Sequence, residues 1–325
     1  MTNDPVIAWL LATDPAIAWQ VQRDLLDASE DVWRPLRSRV EHGGWGARLL
    51  AHQDSDGQWA GGAFFPHDFS RELWEAEGQP WTATTYALTD LREWGLDPTS
   101  ETARRTADLV GRNSRWDHDG QSYWAGEVEE CINGRTLADG AYFGADVTGI
   151  ADRLLTEQQP DGGWNCERAE GSTRGSFHST INVLEGLLEF EKATERADVA
   201  SARHTGEEFL LSRSLFRRLT DGEIADQDFL KLTHPNRWHY DVLRGLDYLR
   251  AAGFHDGAGP DPRLGEALGW LRGKADDDGR WPLESRPGGR VWFDVDDGIG
   301  MPSAWLTLRA RRVLRWADGA GRGGA

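Results

Sequence analysis

The amino-acid sequence predicts an all-α fold arranged as a closed barrel of helix hairpins. Helical periodicity runs through most of the chain, and strand-like alternation is nearly absent. Well-packed helical segments alternate with plainly amphipathic ones, as happens when one set of helices faces a central axis and the other faces water. A short phrase also recurs. Gln53 to Trp59 (QDSDGQW) and Gln158 to Trp164 (QQPDGGW) share the spacing Q-x-x-D-G-x-W, and Asp278 to Trp281 (DGRW) repeats its second half. Asp119-Gly120 with Trp124, and Asp221-Gly222, read as decayed copies. Marks spread along the whole length announce a repeat protein.

The elements follow in order. Segments 15–26, 81–94, 130–143, 177–190, 238–251 and 303–317 carry small or apolar residues on more than one face and are expected as inner helices. Segments 35–51, 101–113, 145–158, 199–219 and 262–274 are amphipathic and are expected outside them. Asp14 before Pro15 and Ser303 after Pro302 are N-cap signals, and Gly95, Gly144 and Gly253 are expected to end helices. In each repeated phrase Asp-Gly supplies a turn, with a glycine free to take positive φ. The Trp is expected to pack at a junction between units, and the Gln amide to bond backbone groups at a helix end. No Pro/Ser-rich linker divides the chain, so residues 1–318 are expected as one domain, with 319–325 a disordered tail.

Composition narrows the function. The 325 residues are 39% hydrophobic with 17 Trp, which is ample material for a core. A net charge of −18 argues against nucleic acid and against an anionic membrane surface. No stretch is long and apolar enough to span a bilayer, and the start of the chain lacks a signal-peptide pattern. Two cysteines make no disulfide framework, so a cytoplasmic setting is expected.

The phrase at 158–164, its sequel at 176–187 (SFHSTINVLEGL) and the closing run at 303–314 (SAWLTLRARRVL) resemble the squalene cyclase and protein prenyltransferase β-subunit superfamily. The Q-x-x-D-G-x-W elements resemble its QW repeats, and the likeness spans roughly residues 35–317. It implies an (α/α)6 toroid with six inner helices around a cavity. It does not fix the activity, because fold and function separate in such superfamilies.

Inner helices running parallel would gather their N-termini at one rim, where dipole ends and loose N–H groups favour ligands. Cys131, His178 and His239 fall at expected helix starts, and Cys166 lies in a loop between two of them. Two thiolates with imidazoles suit tetrahedral Zn²⁺. The resemblance implies a zinc rim site built from an acidic residue, a cysteine two positions later and a distant histidine. Glu129 and Cys131 match that local pair, with His178 as the histidine. The bland alternative is two free thiols and satisfied histidines, and a Cys131–Cys166 disulfide is a third option.

Asp294-Val-Asp-Asp297 matches D-x-D-D, the acid motif of class II terpenoid cyclases. The resemblance implies Asp296 as general acid towards an alkene, with Asp294 and Asp297 tuning it. Close carboxylates ionise poorly together, which would keep one protonated. In a chain rich in acids such a motif also arises as a solvated loop. Trp81, Tyr86, Phe177, Trp238, Tyr240 and Trp305 are candidates to line a substrate cavity and stabilise a carbocation. They serve equally well as core. Arg135, Arg174, Arg237 and Arg244 lie near the expected rim.

The expected function is therefore an enzyme of the terpenoid cyclase/prenyltransferase type. It would act on an isoprenoid or other hydrophobic small molecule, using a zinc site or an Asp acid. The alternative is a non-catalytic, zinc-stabilised toroid that binds a peptide or small molecule. An (α/α)6 polysaccharide lyase is disfavoured by the QW phrases.

Overall fold

The computed structural model describes residues 4–319, so all of the expected tail except Gly319 lies outside the described residues. The α-helices are α1 (Pro5–Thr13), α2 (Pro15–Asp24), α3 (Glu30–Arg37), α4 (Gly44–Leu50), α5 (Arg71–Glu77), α6 (Thr84–Trp94) and α7 (Glu101–Asn113). They continue with α8 (Glu130–Phe143), α9 (Thr148–Glu157), α10 (Phe177–Thr194), α11 (Ala197–Leu211), α12 (Val242–Asp256), α13 (Gly265–Gly273) and α14 (Ala304–Ala317). Among the described residues no strand forms, only isolated bridges. The all-α class holds.

Helices form where caps and periodicity agree. Asp14 accepts the Ala16 amide at 2.9 Å to start α2, and Ser303 accepts the Leu306 amide at 3.2 Å to start α14. Gly95 and Gly144 take left-handed conformations after α6 and α8. Gly253, expected as a terminator, instead lies inside α12, which runs on to a left-handed Gly257. Apolar packing there outweighs the helix cost of one glycine. The expected helix at 35–51 is broken into a 3-10 turn, Ser38–Glu41, and α4. Trp81 and Trp238 precede α6 and α12 rather than opening them.

The chain divides into two compact units. One comprises the described residues up to Trp45, Leu210–Pro287 and the stretch from Asp294 onward; the other comprises Gly46–Phe209 and Gly288–Phe293. The repeated phrase does the same job in both. In the second unit Trp59 donates its indole N–H to Leu49 O at 2.9 Å, and its backbone N–H to Thr84 Oγ1 at 3.1 Å. Trp164 donates likewise to Leu154 O at 2.8 Å and to Thr180 Oγ1 at 3.0 Å. In the first unit Trp281 repeats both bonds, to Leu271 O at 2.9 Å and Thr307 Oγ1 at 3.0 Å. Each Trp thus ties the end of one helix to the first turn of a later one. Gln53 and Gln158 add bonds across the turn to Gly57 O and Gly162 O, at 2.9 and 2.8 Å. Gln158 also reaches Ala202 O on α11 at 2.9 Å. Gly162, at φ +88°, takes a conformation that L side chains avoid, and a Cβ there would meet Thr205 O at 2.6 Å.

In the second unit α8 packs closely against α10. A Cβ on Gly134 would lie 2.5 Å from Asn182 O, and one on Gly186 would lie 2.3 Å from Gly134 O, so the two backbones touch. The segment Gly288–Phe293 of the same unit covers the approach to α6. Trp81 donates from its indole to Gly288 O at 2.7 Å, and Trp292 to Thr82 O at 3.1 Å. In the first unit a buried Asp247 gathers Arg250, Arg309 and Arg312 at 3.0, 3.1 and 2.7 Å. Burial pushes its pKa up, but the three guanidinium charges outweigh that and hold it far below the usual carboxylate range. Paired in this way, the carboxylate is tolerated inside the fold.

The Trp clamps generate a prediction. Trp164 is fully buried, so Trp164→Ala removes a large core side chain and its indole tie to Leu154 O, while the backbone bond to Thr180 is kept. Urea denaturation followed by circular dichroism is expected to show a loss of about 3–5 kcal/mol. Thr180→Val, which removes the hydroxyl that bonds both the Trp164 N–H and the Trp164 carbonyl, is expected to cost about 1–3 kcal/mol.

Candidate functional site

Two clusters of reactive side chains stand out, one within each unit. The first is built by irregular backbone that folds back on itself. Ser285 and Glu284 amides bond Leu232 O at 3.1 and 2.9 Å, and the His234 amide bonds Ser285 O at 3.2 Å. The Leu283 amide bonds Met301 O at 2.8 Å, just before α14. These ties bring residues 62 positions apart together, so His234 Nδ1 sits 2.7 Å from Asp296 Oδ2. Both side chains are nearly closed off, with 4% and 7% exposed.

The loop that carries His234 is itself pinned. Asp241, the N-cap of α12, accepts from the Thr233 amide at 3.1 Å and from Asn236 Nδ2 at 2.7 Å. Arg309 Nη1 donates to Asn236 Oδ1 at 2.8 Å. Trp305 stacks on the His234 ring, with centroids 5.6 Å apart and planes at 18°. The Trp305 indole N–H is buried and has no acceptor among the described residues. Within the cluster the Trp305 indole is thus a buried donor left unpaired.

Burial raises the pKa of Asp296, but the charge and hydrogen bond of His234, with the Ser303 hydroxyl and Arg286, lower it more. Its net pKa lies below the ordinary 3.8. The sequence expectation was that crowding by Asp294 and Asp297 would keep Asp296 protonated. Instead Asp294 is exposed and paired with Arg286 at 2.5 Å, and Asp297 is exposed. The partner that governs Asp296 is a histidine. Sequence reasoning missed His234 because nothing in local spacing links it to Asp296; its only signal was its place in a Thr-His-Pro-Asn loop shortly before α12.

The second cluster sits at the start of α8. Arg168 bridges Glu130 Oε1 and Glu157 Oε1, both at 2.8 Å, and so holds the turn Cys166–Glu170 against that helix. Cys166 Sγ then accepts the Cys131 amide and the Ser179 hydroxyl, each at 3.3 Å. Cys131 Sγ lies 3.7 Å from Glu129 Oε2. The ligand atoms of Glu129, Cys131 and Cys166 all fall within 4.8 Å of one another. His178 stands outside that group, and His239 belongs to the other unit, where it stacks on Trp238 at 3.7 Å. The hydrogen bond from Cys131 lowers the pKa of Cys166, helped by Ser179 against the effect of burial. The same bond, with burial, raises that of Cys131. Two soft sulfurs and a carboxylate at mutual ligand distance fit a zinc donor set.

The remaining candidates are aromatic. Trp81 and Tyr86 are buried and meet edge-on at 5.0 Å, and Gln79 donates to the Tyr86 hydroxyl at 2.6 Å. Tyr240 is buried and donates to Leu215 O at 2.7 Å. Phe177 and Trp238 are half-buried, the former against Phe209 at 5.5 Å.

No known family model matches the chain, and no curated protein matches it. Similar solved structures include a crystal structure of a protein from Actinoplanes, 17% identical, aligned over 94% of this chain and 90% of that one with a TM-score of 0.45.

The Asp296–His234 pair generates a pH prediction. A carboxylate whose folded pKa is depressed stabilises the fold above its unfolded value, and that contribution is lost as pH falls through the folded value. Asp296→Asn is therefore expected to lower stability at pH 7. The gap to the parent protein should close as pH drops below about 4, measured by urea unfolding across pH.

Proposed function

We propose that this chain is a cytoplasmic enzyme of the terpenoid cyclase/prenyltransferase type. Its substrate is an isoprenoid or similar hydrophobic molecule, held in the cavity of an (α/α)6 toroid. The observation that carries this reading is the buried hydrogen bond between His234 and Asp296 in the D-x-D-D sequence. An alkene accepts a proton only from a strong acid. A carboxyl group whose pKa is depressed is a stronger donor in its protonated form than an ordinary one. Asp296 then delivers the proton. His234 fixes the orientation of the carboxyl group through Nδ1 and spreads the charge left behind. The Trp305 face beside His234 stabilises positive charge developing on the substrate.

The acid role fixes the sign of the pH dependence. Only the protonated carboxyl group is productive, so turnover should fall as pH rises from 5 to 8. Squalene and geranylgeranyl diphosphate are suitable probes, with products resolved by gas chromatography and mass spectrometry. Asp296→Asn and His234→Gln are each expected to lower turnover by about 10²-fold or more. Unchanged turnover in both variants, or turnover that climbs with pH, would sink the acid assignment.

A second reading is favoured by the Glu129, Cys131 and Cys166 group. These residues would hold zinc, which supplies Lewis-acid activation of a thiol, hydroxyl or water when bound. In a closed form with a fourth protein ligand, the same group would serve only to stabilise a binding toroid. Metal analysis of protein purified without chelators is expected to give one zinc per chain, with Cys131→Ser and Cys166→Ser each losing most of it. Absence of zinc from the parent protein removes this reading and leaves the acid route untouched.

A further inference from the structure

The same two sulfurs carry a separate inference that depends on neither reading. They are the only cysteines in the chain, both are half-buried rather than sealed, and they lie within 4.8 Å of each other. Their surroundings differ. Cys166 Sγ receives two donors, the Cys131 amide and the Ser179 hydroxyl, both at 3.3 Å. Those donors stabilise negative charge on that sulfur and orient it. Cys131 Sγ receives neither of these donors and lies 3.7 Å from the Glu129 carboxylate. One sulfur is thus set up to attack and its neighbour to resolve.

We propose that Cys131 and Cys166 form a peroxide-reactive dithiol that closes to an intramolecular disulfide. In the first step the Cys166 sulfur, having lost its proton, attacks one oxygen of hydrogen peroxide. The O–O bond breaks, hydroxide leaves and takes up the proton as water, and Cys166 becomes a sulfenic acid. In the second step the Cys131 sulfur attacks the Cys166 sulfur. The S–O bond breaks, a second water leaves with the Cys131 proton, and the S–S bond forms. Two thiols lose two electrons to one peroxide, and no other co-reactant is needed. The bond would fasten the turn Cys166–Glu170 to the head of α8, joining residues 35 positions apart.

Full-length reduced protein is treated with stoichiometric hydrogen peroxide, and three readouts are taken. Thiol titration should fall from two per chain to none, intact mass should drop by two hydrogens, and peptide mapping should link Cys131 to Cys166. Cys131→Ser should stop at a sulfenic acid on Cys166 that dimedone traps, whereas Cys166→Ser should react several-fold more slowly. Ser179→Ala should slow the first step while still reaching the same disulfide. Zinc added beforehand should protect both thiols if the metal reading is right, and leave the rate unchanged if it is not, so the two ideas fail separately. Retention of both thiols, over-oxidation of Cys166 beyond the sulfenic acid in the parent protein, or disulfides only between chains would overturn the proposal.

Discussion

The structure depends on one repeated tie, a tryptophan that closes a turn and fastens two helices at once. Its indole N–H donates to a carbonyl in the last turn of one helix, and its backbone N–H donates to a threonine hydroxyl at the head of a later helix. Its ring fills the space between them. Glycine enters because the turn needs positive φ where a neighbouring helix passes too close for a side chain. Propensity alone would not set where these helices meet. The tie does.

How much of this was legible in the sequence follows from the range of each interaction. Helix α8 (Glu130–Phe143) and helix α7 (Glu101–Asn113) match their expected limits, because local periodicity and end signals suffice to define them. Gly253 misled, since a glycine ends a helix only if nothing apolar rewards its continuation. The closeness of Cys131 and Cys166 was readable once the turn between α9 and α10 was assigned. The Asp296–His234 bond was not, because it arises from three stretches of irregular backbone lying side by side. No periodicity encodes such an arrangement.

Electrostatics separates the two clusters from the charged framework around them. Asp247 sits among three arginines and Asp139 meets Arg92 at 2.8 Å, so these carboxylates are spent on holding helices together. Asp296 instead has a histidine at hydrogen-bond distance, with Arg286 adding a weaker charge effect.

The contact between Gly134 and the Asn182 backbone has a consequence beyond packing. Cys131 lies three residues before the first of these positions, and Ser179 lies three before the second, so each is less than one helical turn from the point of contact. With no side chain to act as a cushion, neither helix can slide along the other without collision. A slip of one residue would shift the hydroxyl by about 1.5 Å relative to the helix bearing Cys131. The paired glycines therefore serve as a gauge block, and the spacing around the sulfurs is machined by an absence of atoms elsewhere.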